Sequence, residues 1–260
     1  SFVMWFVFVW LGWALLFCSS GSAVVDGTTS QPADAMSRVY FVGFTLTTLG
    51  IGDFRPGGDI WRVLTVLAAA TGFVLVTLSV TYVFSILTAL NRRRALGAAV
   101  GHLGSTPEAI VGLASDGRSE LSERLMSLTG ELEQAATQAD AFPVLEYSHV
   151  ADRERSFACA VAVLGEVSLL FQHAIEEHAS VPQVVWLPLQ RAVQEMIREE
   201  NALEANMDAP PLPDFSKLET SGLPLAADAA ESFQQADVSE DRARWREWLN
   251  MHQRSWDKLR

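Results

Sequence analysis

The chain has 260 residues, a hydrophobic fraction of 49% and a formal net charge of −12, an unusual combination for a single soluble domain. Residues 1–94 contain six arginines and four aspartates, so they carry +2 and leave −14 for the remainder. An acidic C-terminal part argues against a nucleic-acid partner, because phosphates attract Lys and Arg. We therefore expect an apolar membrane part followed by an acidic part that its charge keeps soluble in the cytosol.

Residues 2–17 form an almost unbroken apolar run, and we predict an outer transmembrane helix at residues 1–18. A helix needs about 20 apolar residues to cross a hydrocarbon core of about 30 Å, so this run is slightly short. No basic leader precedes it and no clean small-residue cleavage pattern follows it, which disfavours a signal peptide. Because the run starts at the first residue, we expect the native protein to continue upstream.

A second apolar helix is predicted at residues 35–47, where Asp34 can cap the N-terminus. This helix is too short to span a membrane, so the chain must enter, stop and return as non-helical backbone. Such backbone is tolerated at membrane depth only where it lines a protein-lined or water-filled cavity.

Residues 47–53 read Thr-Thr-Leu-Gly-Ile-Gly-Asp, in which glycine alternates with other residues. Glycine tolerates positive φ, and this alternation can hold an extended backbone with its carbonyl groups turned to one side. A row of such carbonyls can replace the hydration shell of a K⁺ ion. A glycine turn between two helices of another kind of membrane protein is the alternative interpretation.

A long apolar helix is predicted at residues 60–91, and three consecutive arginines follow it at residues 92–94. Arginine clusters stay on the cytoplasmic side, so both ends of this membrane part face inward and a multi-pass inner-membrane protein is expected. Gly72 indicates either a bend or close helix packing. A stripe at helical spacing is predicted to line an aqueous cavity or gate, and its members are Phe73, Thr77, Thr81 and Ser85.

Residues 95–260 are predicted to form a cytosolic helical domain with an extended segment at residues 204–238. Residues 157–175 are apolar enough to suggest a third span, but Glu166 lies in the middle of them. Because an ionised residue at the bilayer centre is costly, we predict a buried helix in a bundle instead. A tryptophan-rich face within residues 242–259 is expected to dock within this bundle or across subunits.

Few residues of the acidic part suggest other chemistry. His173 and Glu177, one turn apart on a predicted helix, could bind a metal with His178, although a solvated helix end is the simpler interpretation. No catalytic Ser-His-Asp pattern, phosphate-binding glycine loop, CxxC pair or nucleotide-binding βαβ pattern is recognisable there, so neither an enzyme nor an organic cofactor is predicted. Cys18 and Cys159 fall on opposite sides of the membrane in this topology and cannot pair.

Residues 1–94 resemble prokaryotic potassium channels with two transmembrane helices and one pore loop per chain. The resemblance is specific at residues 47–53, since the family filter usually reads Thr-Val-Gly-Tyr-Gly-Asp; here Leu49 and Ile51 replace the valine and the tyrosine, as in some two-pore-domain channels. It implies an all-α membrane protein with two transmembrane helices and a re-entrant pore helix and filter, followed by the helical cytosolic domain. Because a closed carbonyl ring needs four loops, it also implies a homotetramer in the lipid bilayer.

The resemblance assigns roles to individual residues. The K⁺ ligands would be the backbone carbonyls of filter residues 48–52, with K⁺ as the only metal; these residues are Thr48, Leu49, Gly50, Ile51 and Gly52. Asp53 and Thr47 would support the filter, with Tyr40 in place of a pore-helix tryptophan that usually bonds the aspartate.

Two alternatives stay open at this point. Ile51 lacks the tyrosine hydroxyl of the usual filter, so the first alternative is a weakly selective cation channel. The second is a membrane-anchored helical sensor or scaffold with a non-conducting pore. The sequence does not indicate the gating stimulus, and an unidentified ligand of the cytosolic domain is one candidate.

Overall fold

The computed structural model describes residues 2–142, 145, 156–200 and 208–256. The chain divides into two compact units, Ser1–Ser85 and Ile86–Arg260, and the division falls within one long helix. Each unit is described by itself below.

The first unit consists of three helices and a small β ribbon. Its elements are α1 (Phe2–Cys18), β1 (Val24–Asp26), α2 (Ala35–Leu46), β2 (Phe54–Pro56) and α3, which begins at Asp59. The strands pair antiparallel, with Val24 opposite Pro56 and Asp26 opposite Phe54. The sequence had predicted helices only, so this ribbon is an addition to the all-α fold class.

Helix α2 begins where the sequence predicted it. The Asp34 carboxylate accepts a hydrogen bond from the Ser37 N–H at 2.8 Å, which is the usual way to satisfy a free amide at a helix start. The opposite end packs Phe41, Phe44 and Leu46 into the core of the first unit. In the same core, the Phe17 ring of α1 lies 5.6 Å from that of Phe41.

Helix α3 runs from Asp59 to Leu103 and extends about three turns beyond the predicted end at residue 91. The arginines at residues 92–94 end the apolar stretch but not the helix, because Arg, Ala and Leu are all strong helix formers. By length and composition two described helical segments could cross a membrane, namely α3 and Phe157–Ala174; Phe2–Cys18 is a shorter apolar helix.

The second unit is helical throughout its described elements. After the end of α3 these are α4 (Pro107–Gly112), α5 (Ala114–Ala141), α6 (Phe157–Leu169), a π-helical turn (Leu170–Ala174), α7 (Gln183–Glu200), α8 (Phe215–Thr220), α9 (Ala229–Ser232) and α10 (Ala236–Met251). The described part of the interval predicted as an extended segment therefore contains two short helices, α8 and α9, and the first residues of α10. Asp214 starts α8, since its carboxylate accepts from the Ser216 N–H at 3.2 Å.

Helix α6 is the centre of the second unit, and all thirteen of its residues are buried. Glu166 forms an ion pair with Arg242 of α10, in which Oε1 accepts from Nε at 2.6 Å. The guanidinium also donates to the carbonyls of Pro210 and Pro211, at 3.2 and 2.8 Å. This apolar segment is thus a buried helix, as predicted, and its charge is paired inside the unit.

The tryptophan face of α10 docks within the second unit. Trp245 and Trp248 are almost fully buried. A Cβ atom on Gly165 of α6 would lie only 2.8 Å from the Trp245 ring, so the absent side chain allows α6 and α10 to approach closely. Docking within the bundle, one of the two predicted outcomes, therefore accounts for these rings.

The buried ion pair predicts a large stability difference between two arginines of α10. Arg242→Met should lower the free energy of unfolding by about 3–5 kcal/mol, because it removes the buried cation that Glu166 faces. Arg244→Met is the matched control: Arg244 is partly exposed and pairs with Glu240 on the same helix, so it should cost about 0–1 kcal/mol. Denaturant unfolding of the full chain in detergent, followed by tryptophan fluorescence, measures both.

The double variant Arg242→Met with Glu166→Leu should regain most of that loss, since an apolar pair of similar volume is often neutral or stabilising. Equal unfolding midpoints for the Arg242→Met and Arg244→Met proteins would contradict this account of the pair.

Candidate functional site

Residues 47–53, called the glycine segment below, leave α2 through a short irregular turn. The Thr47 N–H donates to the Gly43 carbonyl at 3.1 Å and the Leu49 N–H to the Phe44 carbonyl at 2.8 Å. The Thr47 hydroxyl also donates to the Gly43 carbonyl, at 3.0 Å. Thr47, predicted as a filter-supporting residue, therefore secures the C-terminal end of α2.

Along the glycine segment, every second residue has the positive φ of a left-handed backbone conformation. Thr48, Gly50 and Gly52 have φ values of +57°, +57° and +89°, whereas Leu49 and Ile51 are not among the described residues with positive φ. For the two glycines this conformation costs little. For the β-branched Thr48 it is a true outlier, with a strain of about 1–3 kcal/mol that persists only where the surroundings impose it.

The side chains of the glycine segment are exposed in the single chain. Leu49 is 66% exposed and Ile51 is 51% exposed, although both are large apolar side chains in a region flanked by apolar helices. Two large apolar side chains exposed so close together in the chain indicate a surface that contacts lipid or another chain.

Tyr40 and Asp53, predicted as filter-supporting residues, both contact Phe54. The Tyr40 ring stands edge-on to that of Phe54, with 6.2 Å between the ring centroids. The Phe54 N–H in turn donates to the Asp53 carboxylate at 3.1 Å. These contacts join the end of the glycine segment to the side of α2.

The polar stripe of α3 has all its hydroxyls satisfied within the helix. Those of Thr77, Thr81 and Ser85 each donate to the carbonyl four residues earlier, at 2.9–3.0 Å. The expectation of an aqueous cavity rested on hydroxyls that would otherwise lack partners. Since they bond back to their own helix, the cavity assignment of this stripe, including Phe73, stays a prediction.

Gly72 lies where α3 crosses the end of α2. A Cβ atom at this position would lie 1.9 Å from the Leu46 carbonyl oxygen. α3 continues as one helix through it. The structure thus gives Gly72 the close-packing role, one of the two that the sequence left open, and it fixes α2 against α3 just before the glycine segment.

The loop between α1 and α2, residues 19–34, is held by a turn at Asp26. The Asp26 carboxylate accepts from the N–H groups of Thr28 and Thr29 at 2.9 and 2.6 Å. These bonds, of which that from the Thr29 N–H has the largest effect, hold the pKa of Asp26 below its usual value. The composition of this stretch indicates a loop, but the sequence analysis did not single out the turn at Asp26, although Asp-Gly-Thr-Thr is a typical turn sequence.

The suggested metal ligands of the acidic part are not brought together. His173 lies on the π-helical turn, but Glu177 and His178 lie in the turn that follows, so the predicted helical spacing is wrong. The Nδ1 atom of His178 lies 3.2 Å from Oε2 of Glu176. Among the described residues there is no cluster of three or more His, Cys, Asp or Glu side chains that could hold a metal.

The Gly72 contact predicts a steric penalty. Gly72→Ala should destabilise the protein by about 1–3 kcal/mol, because the methyl group forces α3 away from the Leu46 backbone. The control is Gly12→Ala in α1, where an added Cβ meets nothing within 4 Å. Thermal unfolding in detergent should separate the two variants, and equal midpoints would contradict the packing role.

The lowered pKa of Asp26 predicts acid loosening of the α1–α2 loop. Stability from the ionised form is present above the unfolded pKa of about 3.9 and is lost as the pH falls through the lower folded value. Hydrogen exchange of the Thr28 and Thr29 amides, corrected for intrinsic rates, should accelerate there. Asp26→Asn should abolish this pH dependence, whereas Asp34→Asn, in the same loop, should retain it.

Comparison with known proteins identifies a known domain in the first unit. A family model described as "Ion channel" matches residues 2–89, a stretch that contains α1, α2, the glycine segment and the apolar part of α3. An ion-channel domain indicates a transport protein rather than an enzyme. No solved structure matches the chain.

One similar protein is the "Uncharacterized membrane protein YdjJ" of Bacillus subtilis (strain 168). It is 32% identical over 228 residues, which make up 86% of this chain and 67% of that protein. The similarity therefore extends well beyond the channel domain into the acidic part. The chain thus belongs to the family of this bacterial membrane protein and carries an ion-channel domain at residues 2–89.

Proposed function

We propose that the protein is a potassium-selective channel in which four copies of the chain surround one pore. The backbone carbonyls of residues 48–52 and the Thr48 hydroxyl would bind dehydrated K⁺ in successive rings. Repulsion between neighbouring ions would keep them moving through these sites.

The observation that carries this proposal is the positive φ at every second residue, namely Thr48, Gly50 and Gly52. A strand of uniform hand points successive carbonyls to opposite sides, whereas alternating hands can bring them to one side. A glycine turn with no further role has no need of a strained threonine. Strain of this kind is typical of functional sites.

The exposure of the segment supports assembly from several chains. One loop cannot surround an ion, and the exposed Leu49 and Ile51 side chains need a neighbour to cover them. The apolar window of α3 is also only 11% buried in the single chain, which leaves surface for lipid and for other subunits. A closed ring of identical subunits meets both needs.

The contacts of Asp53 support the selective form of the channel over its alternatives. The Phe54 N–H donates to the Asp53 carboxylate and the Gly27 N–H to the Asp53 carbonyl, so the end of the filter has support even though tryptophan is replaced. Ile51 offers no hydroxyl for further support. A weakly selective cation channel is therefore the outcome to test against, together with a non-conducting pore.

In this proposal the second unit lies in the cytosol and assembles or gates the pore. Its acidity is compatible with that compartment, and the arginines at residues 92–94 favour a cytoplasmic end for the apolar stretch of α3. The stripe from Phe73 to Ser85 would line the cavity below the filter. The ligand or condition that opens the channel is left to experiment.

The filter assignment predicts the loss of flux on one substitution. Gly50→Ala should reduce K⁺ flux into liposomes at least tenfold, because its φ of +57° disfavours an L side chain. The tetramer should persist in detergent, as measured by light scattering. Gly58→Ala is the matched control, since its Cβ meets nothing within 4 Å and its φ is ordinary.

Reversal potentials in opposed K⁺ and Na⁺ gradients decide between the alternatives. A reversal near zero with equal total K⁺ and Na⁺ across the bilayer would reject selectivity. Unchanged flux in the Gly50→Ala protein would reject the filter assignment, and no flux from the unmodified protein would favour a scaffold.

A further inference from the structure

We propose that Gly27, in the loop between α1 and α2, is a positioning residue that sets the ion selectivity of the filter. This inference rests on the proposed function and extends it to a residue outside residues 47–53. The Gly27 N–H donates to the Asp53 carbonyl at 2.7 Å. In the described part of the chain, this is the only backbone–backbone hydrogen bond that residues 50–53 make.

The contact leaves no room for a side chain. A Cβ atom at Gly27 would lie 2.8 Å from the Gly52 carbonyl oxygen and 2.9 Å from the Asp53 carbonyl oxygen. Real Cβ atoms essentially never come that close to backbone oxygen. Any other residue at position 27 must therefore displace either the loop backbone or the backbone of residues 52 and 53. The Gly52 carbonyl is one of the proposed K⁺ ligands, which means that the loop backbone touches the filter directly.

The loop that presents Gly27 is itself rigidly held. The β ribbon pairs Asp26 with Phe54 and Val25 with Arg55, and the Arg55 guanidinium donates to the Ser30 hydroxyl at 2.6 Å. The Asp26 carboxylate accepts from two amides of the following turn. Gly27 is thus bracketed by fixed residues on both sides.

The same loop is anchored to the helices of the first unit. Ala23, Val24 and Ala33 are buried in its core. The Arg38 guanidinium of α2 donates to the Ala33 and Gly21 carbonyls, at 2.7 and 3.1 Å. The loop can therefore transmit the position of α1 and α2 to the end of the filter, opposite the turn through which the filter leaves α2.

The physical consequence concerns the size of the ion that the filter accepts. The glycine segment is bonded to α2 at its start, through Leu49, and to Gly27 at its end. Between these points, alternating φ values hold an exposed strand. If the end is released, the carbonyls at Gly52 can shift, and discrimination between K⁺ and the smaller Na⁺ depends on where such carbonyls lie and how firmly they are held.

The experiment compares Gly27→Ala with Gly21→Ala, a glycine of the same loop whose Cβ would meet nothing within 4 Å. Reconstituted full-length protein is assayed for K⁺ over Na⁺ permeability from reversal potentials, and for tetramer by light scattering. Gly27→Ala should lower the permeability ratio at least fivefold while the tetramer persists. Gly21→Ala should leave both unchanged. A merely structural role would reduce assembly without changing the ratio.

Ser30→Ala is the second variant, because it removes the Arg55 bond without adding any atom near the filter. Ser30→Ala should also lower the K⁺ over Na⁺ permeability ratio, by a smaller factor than Gly27→Ala. If the Gly27→Ala protein does not assemble, the ratio measured for Ser30→Ala tests the inference. An unchanged ratio in the assembled Gly27→Ala tetramer, or failing that in Ser30→Ala, would overturn the inference. An unmodified channel that shows no K⁺ selectivity would instead overturn the proposed function.

Discussion

The conformation of Thr48 is the constraint on which the proposed pore depends. A β-branched residue avoids positive φ, yet here it begins a strand in which every second residue has it. Two rigid attachments flank that strand: the end of α2, packed against α3 at Gly72, and the α1–α2 loop at Gly27. Strain of about 1–3 kcal/mol at Thr48 is sustained because both ends of the glycine segment are fixed. The rest of the first unit is the frame that fixes these two ends.

The frame uses glycine in two different ways. At Gly50 and Gly52 the residue supplies a backbone conformation that other residues resist. At Gly27 and Gly72 its value is the space that a side chain would occupy, since backbone carbonyls approach within 3 Å of where a Cβ would be. Both uses bring backbone close to backbone, which suits a site whose proposed chemistry involves main-chain oxygen.

The sequence predicted α2, its Asp34 cap and the glycine segment because each has a local signature: an acidic cap residue, an apolar run and alternating glycines. The supporting role that the family resemblance gave to Tyr40 and Asp53 stays a prediction. The sequence analysis missed the β ribbon, since three-residue strands have too little periodicity to recognise, and it ended α3 at the arginines, whose charge limits a membrane span but not a helix. The contacts of Gly27 join residues 25 and 26 positions apart, and no local pattern indicates such a pairing.

The ion pair between Glu166 and Arg242 has a consequence for how the chain is made. The partners are 76 positions apart, and ribosomes add about 5–20 residues per second. For about 4–15 s, therefore, a hydrophobic helix with an acidic centre exists before its arginine has been synthesised. During that interval α6 has the hydropathy of a membrane segment and lacks Arg242, the counter-charge of Glu166.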